Sequence, residues 1–233
     1  MLVDDVSFQV RGGEIYALAG VQGNGQTEMT EALVGLTIPT SGKITIAGSD
    51  VTTLSTDAVL DLGVGYVPED RLHDGLVGDF SVAENLVLDL YDQPPFASGP
   101  AMNLAAIARN ATERVDEFDV RTSSTTASAN TLSGGNQQKV VLARELSRPL
   151  KLLIVAQPTR GLDVGSIEFI HAQLVAQRAE GKAILLISAE LDEILALADR
   201  IAVLYWGRLA AILPRATATR ERLGLLMAGG SED

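Results

Sequence analysis

The sequence predicts an α/β fold with a mostly parallel sheet and a helical insert. Short apolar runs such as KLLIVA and AILLIS alternate with amphipathic runs of helical spacing, as in sheets covered by helices on both faces. A glycine-rich loop follows the early apolar run GEIYALAG. Between about residues 79 and 150 helical spacing replaces the short apolar runs, which predicts the insert.

The first part of the chain is predicted to be rich in strands. VDDVSFQV and GEIYALAG are predicted strands, and a helix is predicted from Glu28 to Leu36 before the turn GLTIPTSG. The alternating KITIAG and the run LGVGYVPE predict two more strands. These elements, with residues 151–233, form the predicted core, residues 1–78 and 151–233.

The predicted helical subdomain covers residues 79–150. VAENLVLDLY and MNLAAIARNATERVDEF have helical spacing and are linked by DQPPFASGP. A polar loop, RTSSTTASAN, precedes the helix predicted at SGGNQQKVVLARELS. The core then resumes with KLLIVA, the helix SIEFIHAQLVAQRAEG, AILLIS, the helix ELDEILALAD and the hairpin RIAVLYWGRLAAIL.

Composition excludes several classes of function. The chain of 233 residues has 18 Lys and Arg against 30 Asp and Glu, a net charge of −12, and only 4% aromatic residues. Nucleic-acid binding depends on phosphate neutralisation and base stacking, so we expect no nucleic-acid partner. The absence of cysteine excludes disulfides and thiolate metal sites. The chain begins inside a predicted strand, which suggests an excised domain or a trimmed start.

The glycine loop from Gly20 to Thr27 fits the pattern G-x-x-x-x-G-K-[ST] except at the lysine. Such loops turn backbone N–H groups towards phosphate at a helix N-terminus, and a threonine hydroxyl there binds Mg²⁺. The same residues also fit an ordinary strand-to-helix turn. The candidate phosphate-binding residues are Gly20, Gly23, Asn24, Gly25, Gln26, Thr27 and Glu28, with Thr27 as the candidate metal ligand and Glu28 as an unfavourable negative charge.

A second candidate anion site is the stretch TLSGGNQQK. Ser133 stands at a predicted helix N-cap and two glycines follow it, so a hydroxyl, free N–H groups and the helix dipole converge. A well-capped helix with a flexible first turn is the alternative. Two such sites about 110 residues apart, followed by the turn PTRGLD, make coincidence a poor explanation.

In this order of motifs the whole chain resembles an ATP-binding cassette (ABC) domain. GYVPEDR stands where that family has its Q-loop, LSGGNQQK is similar to its signature, and LLISAELDEI lies where its switch histidine stands. More narrowly, GVQGNGQTE, PEDRLHDGL and QPTRGLDVGSIEFI resemble the second, degenerate cassette of importers for simple sugars and nucleosides. The resemblance implies a single cassette over residues 1–233. Its fold is a P-loop NTPase-type, mostly parallel sheet with an antiparallel β subdomain and the helical insert.

The resemblance also implies that the chain's own ATP site lacks the residues needed for hydrolysis. The phosphate-loop lysine is Gln26, and the metal-binding Asp, the catalytic base and the switch histidine are replaced by Ala156, Gln157 and Ala189. Glu69 replaces the Q-loop glutamine; it is either a weak Mg²⁺ ligand or water-positioning group, or, as we favour, part of a surface that contacts a membrane subunit. Since phosphoryl transfer relies on positioned charge, we expect no catalytic residue to be intact and weak or no nucleotide binding.

The residues that the resemblance assigns to contacts with a partner cassette are intact. In the family, two cassettes meet head to tail, and each ATP lies between one phosphate loop and the other cassette's signature. The residues that match these cross-interface contacts are unchanged: Ser133, Gly134, Gly135, Gln137 and Asp163. We therefore expect this domain to complete the ATP site of a competent cassette, fused upstream.

The further expectations from the resemblance concern location and partners. The expected partners are transmembrane permease subunits and, indirectly, an extracytoplasmic solute-binding protein. The expected location is a peripheral position on the cytoplasmic face of the membrane. ATP and Mg²⁺ are the expected cofactors, held weakly or shared with the partner cassette. A non-hydrolysing regulatory module and a soluble ABC ATPase unrelated to transport remain alternatives.

Overall fold

The computed structural model describes residues 3–230. Its strands are β1 (Ile15–Ala19), β2 (Thr45–Ile46), β3 (Ser49–Asp50), β4 (Val64–Val67), β5 (Ala97–Ser98), β6 (Ala101–Met102), β7 (Leu152–Ala156), β8 (Ala183–Ser188), β9 (Arg200–Tyr205) and β10 (Arg208–Pro214). Its α-helices are α1 (Gln26–Leu33), α2 (Thr56–Leu60), α3 (Val82–Asn85), α4 (Leu104–Glu117), α5 (Gly134–Leu146), α6 (Val164–Ala179), α7 (Leu191–Leu197) and α8 (Arg220–Met227). A π-helix covers Arg71–Gly75, and short 3₁₀ helices cover Ala129–Thr131 and Arg215–Thr217.

The main sheet has six strands in the order β10-β9-β1-β8-β7-β4. β1 pairs in parallel with both β8 and β9, β7 pairs in parallel with β8, and β10 closes one edge antiparallel to β9. All five residues of β1 are buried, as expected for a central strand covered on both faces. The α/β fold with a mostly parallel sheet and antiparallel strands is confirmed.

The chain divides into two compact units. The first comprises the residues up to Tyr66, Pro149–Gln157 and those from His171 onward; the second comprises Val67–Arg148 and Pro158–Ile170. The boundaries expected from the sequence, with a helical subdomain at 79–150, stay a prediction. No helix among residues 3–230 is both long and apolar enough to cross a membrane.

The first unit buries its apolar residues on the two faces of the sheet. Tyr16 and Leu18 of β1 join one cluster, with Met29 of α1, while the alternate residues Ala17 and Ala19 join a second cluster against α7 and α8. This alternation follows from the period of two along a strand. The sheet thereby fixes where the loops after its strands begin.

Helix α5 belongs to the second unit, and most of its residues are buried. Its charged side chains are paired. Arg144 donates to Glu145 at 3.0 Å and to the carbonyl of Gly75 at 2.8 Å, while Arg148 reaches Glu145 at 2.7 Å and Asp89 at 3.2 Å. Burial is the main cause that raises the pKa of Asp89, followed by repulsion from Glu145.

The strand predicted at VDDVSFQV is wrong. Residues 3–10 form no strand, although Val3, Val6, Phe8 and Val10 pack against the core of the first unit. Phe8 stacks on Tyr16 with ring centroids 5.4 Å apart, so these apolar residues are partly buried without joining the sheet. The hairpin at RIAVLYWGRLAAIL is confirmed as β9 and β10, whereas KITIAG contributes only the two-residue β2.

Candidate functional site

Three loops of the first unit lie at one edge of the sheet. β1 and β7 both run parallel to β8 and pair with it along their whole length. The chain therefore leaves all three strands at the same edge, where nucleotides bind in open α/β sheets. The glycine loop follows β1, Gln157 follows β7 and Ala189 follows β8.

The glycine loop adopts backbone angles that favour glycine. Gly23 and Gly25 have φ angles of 87° and 104°, in the left-handed region where a side chain is strained. Gly25 is the N-cap residue of α1, so the loop ends where the unpaired N–H groups of the helix begin. A Cβ on Gly25 would also stand 3.4 Å from the Cα of Gly207.

The buried Asn24 joins this loop to the hairpin between β9 and β10. Its side-chain Oδ1 accepts a hydrogen bond from the backbone N–H of Trp206 at 3.2 Å, and its carbonyl accepts one from the N–H of Gly207 at 3.0 Å. The hairpin was predicted from the sequence, but its attachment to the loop was not. The two segments are 182 residues apart, and no local pattern signals their contact.

Gln26, which replaces the expected lysine, turns its side chain back into the loop. Its Nε2 lies 2.5 Å from where a Cβ on Gly20 would stand. The backbone carbonyl of Leu204 would lie 2.8 Å from the same Cβ, so Gly20 must lack a side chain. Gln26 and Asn24 are both buried, and neither Gln26 Nε2 nor Asn24 Nδ2 has a hydrogen-bond partner within residues 3–230. Unpaired buried donors are costly, and phosphate oxygens are acceptors that would satisfy them. The loop therefore fits phosphate groups through neutral amides.

The residues of this edge do not fit a resident Mg²⁺. Thr27 is exposed at the start of α1, and Glu28 lies beside it in the first helical turn. Ala156 offers no ligand at the end of β7, and no group of three His, Asp or Glu side chains in residues 3–230 is arranged to hold a metal. Mg²⁺ takes most of its ligands from oxygens, so one hydroxyl is a poor site.

Gln157 and Ala189 contact each other. Gln157 Oε1 accepts a hydrogen bond from the N–H of Ala189 at 3.2 Å, while the N–H of Gln157 donates to the carbonyl of Ile187 at 2.8 Å. Gln157 has a φ angle of 47°, an uncommon conformation for a residue with a side chain. The amide thus joins the ends of β7 and β8 and leaves no carboxylate there to act as a base.

In the second unit, Ser133 is the N-cap residue of α5, as the sequence predicted. Its side chain makes no capping bond, however; its Oγ accepts a hydrogen bond from Asn136 Nδ2 at 2.8 Å. Asn136 Oδ1 in turn accepts from the N–H of Arg121 at 2.7 Å. The first N–H groups of α5 are therefore not capped by Ser133.

Gly134 lies under the guanidinium of Arg71. A Cβ on Gly134 would stand 2.6 Å from Arg71 Nη2, and Arg71 Nη1 donates to the carbonyl of Arg160 at 3.3 Å. Arg160 also pairs with Glu69 at 2.5 Å. Glu69 therefore lies in an ion pair with the PTRGLD turn, and Arg71 adds positive charge at the start of α5.

Gly135 packs against the start of α6. A Cβ on Gly135 would stand only 2.0 Å from Ser166 Oγ and 3.0 Å from Asp163 Oδ2. Asp163 caps α6, accepting from the N–H of Ser166 at 3.0 Å and from Ser166 Oγ at 2.7 Å. These bonds to Ser166 lower the pKa of Asp163. The structure thus brings the signature and the predicted cross-interface aspartate together.

The side chains of Gln137 and Lys139 make hydrogen bonds within this unit. Gln137 is buried, and its Nε2 donates to the carbonyl of Ala129 at 3.1 Å. Lys139 Nζ donates to the carbonyl and to Oδ2 of Asp119, both at 2.8 Å, and lies 4.4 Å from the centre of the Phe169 ring. No local sequence pattern signals these partners of Lys139.

The two histidines each lie beside a carboxylate. His73 is exposed and pairs with Asp74 at 2.6 Å, which raises the pKa of the imidazole. His171 Nε2 lies 3.2 Å from Oε1 of the buried Glu193.

Comparison with known proteins shows the family. A family model described as ABC transporter matches residues 3–160. The chain is 49% identical over 229 residues to the nucleoside import ATP-binding protein NupA of Lactococcus lactis subsp. cremoris (strain MG1363), covering 98% of this chain and 45% of that protein. It is 46% identical over 230 residues to the guanosine import ATP-binding protein NupO of Bacillus subtilis (strain 168), covering 99% of this chain and 45% of that protein.

The fold is also found among solved structures. The dimeric structure of an ATP-binding cassette in a post-hydrolysis state, bound to ADP and Pi, has a TM-score of 0.77 and 23% identity, covering 91% of this chain and 90% of that one. The chain spans less than half the length of the two curated relatives. The family model, the relatives and the fold agree: the chain belongs to the ABC transporter family, as an ATP-binding cassette.

Proposed function

We propose that this cassette is part of an importer for nucleosides or simple sugars, in which it completes the ATP site of a partner cassette and does not hydrolyse ATP at its own loop. Nucleosides are the favoured solutes, because the two relatives described above are named for nucleoside and guanosine import. The partner cassette, fused upstream in the native chain, binds ATP and Mg²⁺. Transmembrane permease subunits hold both cassettes at the cytoplasmic face of the membrane, beneath an extracytoplasmic solute-binding protein.

The observation that carries this proposal is the contrast between two sets of residues, one in each unit. At the sheet edge, four positions expected to act on ATP hold Gln26, Ala156, Gln157 and Ala189. In the second unit, the start of α5 keeps its serine and both glycines, and its N–H groups are not capped by a side chain. Neutral sequence drift could account for any one of these replacements. It does not account for four replacements that all fall on one site.

The losses at the sheet edge remove different contributions to phosphoryl transfer. Gln26 supplies hydrogen bonds without positive charge, Ala156 supplies no metal ligand and Gln157 supplies no base. Each lost preorganised group typically costs about 10²- to 10³-fold in rate, although such losses do not add cleanly. We therefore infer that nucleotide at this loop is not turned over.

At the signature, the donor groups are suited to a phosphate brought by a partner. The first N–H groups of α5, the Ser133 hydroxyl and the positive end of the helix dipole lie together, and the guanidinium of Arg71 lies beside Gly134. In the family this end faces the γ-phosphate of the ATP on the other cassette. Asp163, fixed as the cap of α6, is the proposed cross-interface aspartate.

The test is steady-state phosphate release by the complete transporter carrying Gly134→Asp in this cassette. The carboxylate would lie at the phosphate-facing end of α5, so we expect turnover to fall to background. The matched control is Gly224→Asp in α8, where an added side chain meets nothing within 4 Å. Wild-type turnover in Gly134→Asp, with the control also active, would contradict the proposal.

A further inference from the structure

Asn136 lies between the signature serine and the segment that follows α4. Its side-chain Oδ1 accepts a hydrogen bond from the backbone N–H of Arg121 at 2.7 Å, and its Nδ2 donates to Ser133 Oγ at 2.8 Å. The backbone N–H of Arg121 can only donate, so it fixes which end of the Asn136 amide faces it. The amide nitrogen is thereby left facing Ser133.

This amide nitrogen determines which part of the Ser133 hydroxyl remains available. A serine hydroxyl has one hydrogen to donate and two lone pairs that accept, whereas an amide nitrogen can only donate. Asn136 therefore occupies a lone pair of Oγ, and the hydroxyl hydrogen must point away from it. Because Ser133 is exposed, that hydrogen is available to a group brought from outside the chain.

The use of Ser133 differs from ordinary helix capping. A serine at an N-cap normally accepts from a backbone N–H two or three positions further on, which stabilises the helix. Ser133 makes no such bond in the described part of the chain, although its carbonyl accepts the first helical bond, from the N–H of Gln137 at 2.9 Å. Helix stability alone does not account for this arrangement, which leaves the hydroxyl hydrogen and the first N–H groups of α5 open to acceptor oxygens.

The segment that orients Asn136 is itself attached to α5. Lys139 lies three residues after Asn136 and therefore on the same face of the helix. Its Nζ donates to the carbonyl and to Oδ2 of Asp119, both at 2.8 Å, and Val120 is buried between the two attached residues. The N–H of Arg121 therefore has a fixed position, and rotating the Asn136 amide by half a turn would break both of its hydrogen bonds.

We propose that Asn136 is a positioning residue of the signature, which holds the Ser133 hydroxyl as a hydrogen-bond donor towards the terminal phosphate of the ATP on the partner cassette. The inference rests on the proposed function, because the donation of the signature is what brings a phosphate to Ser133. Asn136 itself does not contact the phosphate. A donor that is oriented before ATP arrives needs no reorganisation during the reaction, which is how such groups stabilise developing charge.

The test is a double-mutant cycle on steady-state phosphate release by the complete transporter, with Ser133→Ala, Asn136→Ala and both changes together in this cassette. Ser133→Ala removes the donor, and turnover should fall by about 10- to 100-fold. Asn136→Ala leaves the hydroxyl free to rotate or to cap α5, and turnover should fall by about 3- to 10-fold. In the Ser133→Ala background, Asn136→Ala should have no further effect, since it acts only through the hydroxyl.

Two further variants separate positioning from stability. Asn136→Asp can still accept from the N–H of Arg121, but its second oxygen would accept the Ser133 hydrogen, so turnover should fall further than in Asn136→Ala. Asn103→Ala is the matched control, because the Asn103 side chain also binds a backbone N–H at a helix start, that of Ala106 at 3.1 Å. Its loss should lower the free energy of unfolding without changing turnover.

Three results would overturn the inference. Wild-type turnover in Asn136→Ala, with loss in Ser133→Ala, would do so and leave the proposed function standing. Equal fold losses from Asn136→Ala in the two backgrounds would show that the residue acts independently of Ser133. Wild-type turnover in Ser133→Ala would remove the hydroxyl from the reaction, and the proposed function would fail with it only if Gly134→Asp also kept wild-type turnover.

Discussion

The side chain of Gln157 accepts a hydrogen bond from the backbone of Ala189, at 3.2 Å. By resemblance to the family, these two residues stand where the catalytic base and the switch histidine act on ATP. Here they stabilise each other, because the parallel pairing of β7 with β8 brings the two loops together. In the proposed function, this structural contact occupies the positions of the two catalytic groups.

Restoring the carboxylate alone should therefore not restore hydrolysis. In Gln157→Glu, the new carboxylate can still accept from the Ala189 N–H, so the fold should persist. Gln26, Ala156 and Ala189 remain unsuited to the reaction, and phosphate release by the chain alone should stay at background. Appreciable turnover in this variant would mean that the other three replacements do not matter.

Removing the Gln157 amide should instead affect stability. Gln157→Ala leaves the N–H of Ala189 without its acceptor, and the free energy of unfolding should fall by about 0.5–1.5 kcal/mol. Denaturant unfolding of Gln157→Ala and Gln157→Glu side by side measures the difference. Equal loss in both would show that the hydrogen bond contributes nothing.

The tight contact below the signature predicts that Gly135 tolerates no side chain. Gly135→Ala would place a Cβ 2.0 Å from Ser166 Oγ, and overpacking of this kind costs about 1–3 kcal/mol. Gly165→Ala is the matched control, since its Cβ would meet only Asp163 Oδ1 at 3.4 Å and alanine favours the helix. Denaturant unfolding should give opposite signs for the two variants.

Ser166→Ala provides a second check of the same contact. Removing the hydroxyl takes away the nearest clashing atom, so the double variant with Gly135→Ala should be more stable than the sum of the two single effects predicts. Strict additivity would mean that the loss in Gly135→Ala arises elsewhere, for example in the first turn of α5.

The cap of α6 predicts a pH dependence. Ser166 lowers the pKa of Asp163, so the cap contributes stability above the ordinary aspartate range and loses it as the pH falls through the pKa of the folded state. Ser166→Ala should raise the Asp163 pKa in an NMR titration. The stability difference between wild type and this variant should shrink as the solution is acidified. An unchanged Asp163 pKa would contradict the assigned cause.

The buried position of Lys139 predicts that its substitution lowers the free energy of unfolding, whereas substitution of a surface lysine does not. Its side chain is 7% exposed, and Lys139→Met would remove the donor to the backbone carbonyl of Asp119, at a cost of about 1–3 kcal/mol. Lys43, which pairs with Asp50 at 3.3 Å on the surface, is the control, and Lys43→Met should leave unfolding unchanged within error. Equal effects of the two substitutions would contradict the interior role of Lys139.

Much of this fold could be predicted from the sequence because its signals are local. The apolar run of β8, the glycine angles of the loop and the helix start at Ser133 each depend on residues close in the chain. The contact of Asn24 with Trp206 could not be predicted, since it joins residues 182 apart through the order of the strands. The strand predicted at residues 3–10 failed because alternation signals burial on one side but not the presence of a partner strand.

The most direct test of the central claim compares the two signatures in one transporter. In one variant, the glycine after the signature serine is changed to Asp in this cassette, at Gly134; in the other, the equivalent change is made in the partner cassette. We predict that phosphate release falls to background in the first and stays near wild type in the second, whose altered signature faces the silent site. Equal loss in both variants would contradict the account.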